Sequence, residues 1–267
     1  MRRPPMMLSN GGIADNLQLM SASPRLTEDR CVAAFLGRVP YWDAWELQRR
    51  LHSRVARAQI PDQLLLLEHP HVYTLGKRGK ESDVTATAER LKELGAEVHR
   101  VDRGGQATYH GPGQLVGYPI IGLRRWGGGP LRYVQALEQV LITTLAELGI
   151  DAQSEDRPIG VWVGDAKIAA IGVRISQGVT MHGFALNVCP DLSYFGHIVP
   201  CGIPDGGVTS ISKLLSKKVE VEEVAPALVQ HFGRALGLSM EIGTAEELGV
   251  SGLAGVASWA VPGPDVA

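Results

Sequence analysis

Between residues 30 and 240 the apolar positions alternate between two spacings, one helical and one strand-like. Ala44, Leu47, Leu51, Val55 and Ala58 recur every three or four residues, predicting a helix with Asp43 as its N-cap. The same spacing over 87–94 predicts a helix closed by Gly95, and over 131–148 a longer one ended by Gly149. In the longer helix Leu131, Val134, Leu137, Leu141, Leu145 and Leu148 form the core-facing stripe. Short apolar runs predict strands over 63–67, 72–75, 97–101 and 115–121, then a meander over 160–163, 167–175 and 183–188. Gly164-Asp165 and Gln177-Gly178 supply the meander's turns. Thr209 or Ser210 caps a short helix through 215. A final helix starts between 221 and 225, because Pro226 is tolerated only in a first turn, and runs to 236. Strands in hairpins with interspersed helices make the fold class α+β.

The flanks lack this periodicity. Residues 1–28 read as a flexible N-terminal extension and 243–267 as a weakly ordered tail, leaving 29–242 as one catalytic-size domain. A formal charge of −2 offers no electrostatic case for nucleic acid or an anionic membrane as partner. No apolar run approaches the roughly 18 residues of a membrane-spanning helix, and no apolar segment of signal-peptide length is present, so a cytoplasmic location is expected. The three cysteines, Cys31, Cys189 and Cys201, form no Cys-x-x-Cys pair and suit a reducing compartment.

Two segments carry candidate chemistry. Residues 103–114 read Arg-Gly-Gly-Gln-Ala-Thr-Tyr-His-Gly-Pro-Gly-Gln, a loop able to bring bare backbone close to a substrate. It lacks the Gly-Lys-Ser/Thr ending of a phosphate loop, and a strand rather than a helix follows it. Cys201 stands between Pro200 and Gly202 in a stiff segment and is the nucleophile candidate. A free thiol, with a pKa of about 8.5, is only slightly ionised at neutral pH, so a nearby cation is needed, and Lys167 is the choice. His110 serves as proton shuttle or wall. His69 and His71 have a metal-like spacing but no third ligand. The basic run Lys77, Arg78 and Lys80 is a solvated loop that would suit an acidic partner.

These motifs resemble the lipoyl(octanoyl) transferase family over about residues 44–236. The resemblance rests on Glu68-His69-Pro70, residues 72–76, 103–106 and 108–114, Lys167 to Arg174, His182 to Asn187, and Pro200-Cys201-Gly202-Ile203. It implies a mixed β-sheet flanked by helices, as in biotin/lipoate protein ligases and class II aminoacyl-tRNA synthetases. It implies that Cys201 accepts the acyl group and that Lys167 lowers its pKa. Arg103, Gly104, Gly105, Gln106, Ala107, Thr108, Tyr109, His110, Ala170, Ile171, Gly172, Gly183, Phe184 and Ala185 would then line the acyl site. The implied donor is octanoyl-acyl carrier protein. The implied acceptors are lipoyl domains of 2-oxoacid dehydrogenase E2 subunits and the glycine cleavage H protein, with no cofactor or metal ion. Two rivals share the fold: an ATP-dependent lipoate or biotin ligase, which lacks the Pro-Cys-Gly nucleophile, and a non-catalytic acyl-protein binding module.

Overall fold

Leu64, Leu65, Leu66 and Leu67 are all fully buried, so the strand they form is covered on both faces. The computed structural model describes residues 29–127, 129–199, 207–244 and 246–248. Segment 1–28 and most of the tail beyond 243 lie outside the described residues. In chain order the elements are β1 (Arg30–Arg38), α1 (Tyr41–Ala56), β2 (Asp62–Glu68), β3 (Val72–Leu75), α2 (Ala88–Glu93) and β4 (Glu97–Arg100). Then come β5 (Ala107–His110), β6 (Gln114–Ile120), α3 (Leu123–Trp126), α4 (Pro130–Glu147), β7 (Val161–Val163) and β8 (Ala166–Ser176). The last are β9 (Val179–Asn187), α5 (Ile211–Leu215), α6 (Val221–Leu236) and β10 (Ser239–Ile242).

Seven strands form a mixed sheet in the order β10-β1-β2-β6-β9-β8-β7, parallel among β10, β1 and β2 and antiparallel from β2 onward. Alternation within each strand sends side chains to opposite faces. Leu64, Leu66, Leu115 and Leu186 pack with Leu137, Leu141, Leu228 and Phe232 of α4 and α6. Leu65, Leu67, Val116 and Ile120 pack with Ala44, Leu47, Leu51 and Val55 of α1. A second sheet, β4-β3-β5, has its own small core of Tyr73, Leu75, Ala107, Tyr109 and Ile198.

Several expectations are corrected. A third of the glycine-rich segment is not loop: Ala107 to His110 form β5, paired antiparallel with β3. Leu131 is 70% exposed, because the stripe that faces the core turns through Tyr133, Leu137, Val140 and Leu141 instead. Ala58 lies past the end of α1 with φ +53. That helix starts after Pro40, with Asp43 in its first turn. β1 and β10 were not anticipated. Ser210 caps α5 through Lys213 N–H, and α6 begins at Val221, as the pattern requires.

Candidate active site

The β8–β9 hairpin closes through Gln177 and Gly178, both at positive φ (+54 and +78), the backbone of a tight two-residue hairpin turn. Because its strands are antiparallel, one floor runs from Lys167 and Asn187 at one end to Val173 and His182 at the other. A cavity of about 730 Å³ lies on this floor. Ala170, Gly172, Gly183 and Ala185 keep the floor low, since none carries more than a methyl group.

The Arg103 loop is the roof. Arg103 is buried and directs its fork into β3: Nε and Nη2 reach Thr74 Oγ1 at 3.1 and 2.8 Å, and Nη2 also reaches the Thr74 carbonyl at 2.6 Å. Gly104 N–H donates to Val173 O at 3.1 Å, stitching roof to floor. At Gly172 a Cβ would approach Gly104 O at 3.1 Å, so glycine there permits the close crossing.

Lys167 sits at the mouth. Its Nζ donates to Ile159 O at 3.2 Å and stands 4.6 Å above the Trp162 ring. Gly160 makes room for it, because a Cβ there would come within 3.2 Å of Lys167 Cε. Gly160 N–H in turn donates to Glu138 Oε1 at 3.1 Å. Burial pushes the Glu138 carboxyl up, opposed by the Gly160 N–H, Ser154 and the Lys167 charge.

A hydrogen-bond ladder joins roof and mouth. Asn187 Nδ2 donates to Thr209 O at 3.0 Å, Gln114 Nε2 donates to Asn187 Oδ1 at 2.9 Å, and Gln114 Oε1 faces His110 Nδ1 at 2.7 Å. The Thr209 carbonyl can only accept, which orients both amides and makes His110 Nδ1 the protonated nitrogen. Burial, with His69 nearby, holds His110 well below the usual imidazole range, so the ring is neutral.

The cavity brings together Lys167, Arg103 to Thr108, His110, Ala170 to Gly172 and Gly183 to Ala185. Tyr109 stands apart. Strand alternation turns it to the other side of β5, where its hydroxyl meets His71 Nδ1 at 2.8 Å and its ring packs on Tyr194. Cys201 lies outside the described residues, but the residues on either side of its segment, Ile198 and Val208, both line the cavity. Tyr41, Gln114, Tyr118, His182 and Asn187 also line it and were not anticipated as site residues. The available signal was a polar residue at each end of the apolar Phe184-Ala185-Leu186 run, since buried polar groups require partners. His69 uses both ring nitrogens, on Val39 O at 2.6 Å and Tyr118 Oη at 2.7 Å, and burial lowers its pKa to about 4. Among the described residues no cluster of three or more His, Cys, Asp or Glu is placed to hold a metal ion, and no helix is long and apolar enough to cross a membrane.

Residues 40–233 match the lipoyl protein ligase A/B catalytic domain. An octanoyltransferase from Caldicellulosiruptor saccharolyticus is 45% identical over 216 residues, covering 80% of this chain and 92% of the relative. One from Solibacter usitatus is 47% identical over 210 residues, covering 79% and 94%. The chain belongs to the octanoyltransferase family. P. falciparum LipL1 in complex with lipoate superimposes with a TM-score of 0.66 over 82% of this chain and 67% of that one. At 15% identity that likeness speaks for the fold alone.

In this octanoyltransferase the Glu68-His69-Pro70 and Gly111-Pro112-Gly113 motifs hold each other. Gly113 N–H donates to the Glu68 carboxylate, and Gly113 O accepts from Cys189 N–H at 2.8 Å. Gly113 has φ +81, and a Cβ on it would lie 2.6 Å from the Cys189 carbonyl carbon. Cys31 and Cys189 are free thiols, both raised in pKa chiefly by burial.

Proposed function

We propose that the chain moves an octanoyl or lipoyl group from acyl carrier protein to one lysine of a lipoyl domain through a thioester on Cys201. The observation that carries this reading is the apolar-floored cavity that opens at Lys167, with both flanks of the Cys201 segment on its wall. In the first step the Cys201 thiolate attacks the carrier thioester. The new C–S bond forms, the carrier's C–S bond breaks, and the departing carrier thiolate takes a proton from the Lys167 ammonium and leaves as thiol. In the second step the acceptor lysine amine attacks, a C–N bond forms, and Cys201 departs as thiolate. Exchange of thioesters is near neutral in free energy, and amide formation is downhill, so no nucleotide is required.

Lys167 has two roles in this scheme. Its ammonium favours the Cys201 thiolate before acylation. Once acylation removes that negative charge, desolvation favours neutral lysine, which accepts the proton shed by the acceptor amine. Backbone N–H groups of the glycine segments supply donors to the developing oxyanion. Mass spectrometry of the intact protein after incubation with octanoyl-carrier protein, without ATP, tests the reading. An octanoyl adduct on Cys201 that a lipoyl domain discharges as amide supports it. Carrier binding without an adduct, or release of free octanoate with the lipoyl domain present, overturns it.

A further inference from the structure

We propose that the contact of His182 with Asp102, braced by Arg174, closes the far end of the cavity and sets the longest acyl chain the enzyme accepts. His182 Nε2 meets Asp102 Oδ1 at 2.8 Å, and Arg174 Nη1 meets Asp102 Oδ2 at 2.9 Å. Asp102 immediately precedes the Arg103 roof, whereas Arg174 and His182 belong to the β8 and β9 floor. The three therefore clasp roof to floor at the end opposite Lys167, next to the Gly104–Val173 hydrogen bond.

His182 is held there against two local costs. It has φ +55 within a strand, a left-handed conformation that a residue with a side chain rarely adopts. Its Nδ1 is buried with no hydrogen-bond partner among the described residues. Gln48 Oε1 accepts from its backbone N–H at 2.8 Å, so a side chain of α1 takes the place of a neighbouring strand. Strain of this kind persists only where the surroundings impose it, and sites of function are where it collects. Here its effect is to place a ring, only 1% exposed, across the end of the cavity.

The dimensions suit the assignment. From Lys167 to Val173 the floor runs six residues, roughly 20 Å at about 3.3 Å per residue. An extended octanoyl chain takes roughly 9 Å of that, judged from about 3.5 Å per three backbone bonds. The thioester and the side chains at the two ends share the remainder. Burying a further methylene would favour a longer chain by roughly fourfold, so an apolar channel prefers longer acyl groups unless a wall stops them.

This inference rests on the proposed function, and its test separates the two. The kcat/KM for dodecanoyl-carrier relative to octanoyl-carrier is measured in wild type, in His182→Gly and in Asp102→Ala. Glycine accepts the φ of residue 182, and Asp102 is partly exposed, so each variant opens the clasp by a different route. Both are expected to raise the ratio at least tenfold. A ratio within twofold of wild type, in a variant that melts cooperatively and still transfers octanoate, overturns the clasp. If a folded variant loses turnover, the affinity ratio for free dodecanoic against octanoic acid takes its place with the same two outcomes. Absence of transfer by wild type itself counts against the proposed function and leaves the fatty-acid ratio to decide the clasp.

Discussion

Thr209 N–H donates to the Lys167 carbonyl at 3.0 Å, and Lys167 N–H donates to Gly207 O at 3.2 Å. Lys167 and Val208, 41 residues apart in the chain, are thus locked side by side as a parallel bridge. The chain that leaves Cys201 behind is fixed against Lys167 only six residues later, at Gly207. Short tethers of this kind restrict where a segment can go, because each residue spans at most about 3.5 Å.

The first prediction concerns the thiol. In wild type the alkylation rate of Cys201 by iodoacetamide is expected to rise with pH at a midpoint at least one unit below the free-thiol value of about 8.5. In Lys167→Ala the midpoint moves to about 8.5, and adduct formation at pH 7 falls tenfold or more. Lys167→Arg keeps the low midpoint but discharges its adduct slowly. Discharge at the wild-type rate would remove Lys167 as the base.

Breaking the ladder is the second. Gln114→Leu leaves His110 Nδ1 and Asn187 Oδ1 buried without their partner, so stability is expected to fall by about 2–4 kcal/mol in urea denaturation. In wild type, long-range ¹H–¹⁵N spectra of labelled histidine should show His110 protonated on Nδ1 at pH 7. Protonation on Nε2 instead would contradict the amide orientations derived from Thr209.

Two glycines at positive φ are expected to behave differently. Gly95 (φ +60) has nothing within 4 Å of its Cβ direction, so Gly95→Ala costs about 1 kcal/mol from backbone strain alone. Gly113→Ala adds a collision with the Cys189 backbone and is expected to cost at least about 3 kcal/mol. Equal unfolding midpoints for the two variants would refute the close packing of that turn.

Stability should fall with acid in a defined window. The folded pKa of His69 is about 4, below its ordinary 6.5, so the unfolded chain binds the proton first as pH drops. Its contribution is complete above pH 6.5 and is lost progressively down to about 4, amounting to about 3 kcal/mol. His110 and His182, both lowered chiefly by burial, act in the same direction. Asp102 is held at about 2, first by the His182 hydrogen bond, so its contribution is present above its ordinary 3.8 and is lost only in stronger acid. Urea midpoints measured between pH 7.5 and 4.5 check this, and His69→Gln is expected to flatten the slope.

Periodicity made the helices and most strands readable because they depend on neighbours in sequence. The extents of α4 and α6 and the Ala44, Leu47, Leu51 and Val55 stripe of α1 were legible for that reason. β1 was harder. Its run from Cys31 to Leu36 is apolar without alternation, and buried strands on both faces lose the period-two signal. β10 is only four residues long and gains its place by pairing with β1, 209 residues away in the chain.

By itself the sequence determined the α+β class, the family motifs and the residue types that can do acyl transfer. Tertiary structure alone decided that Arg103 braces Thr74, that Tyr109 faces away from the cavity, and that His182 bars its end. It alone turned Asn187 and Gln114 into a ladder to His110. Such outcomes hang on strand register and on contacts between residues far apart in the chain. A one-residue slip would send every side chain of a strand to its opposite face, and no local pattern records which distant partner satisfies a buried polar group.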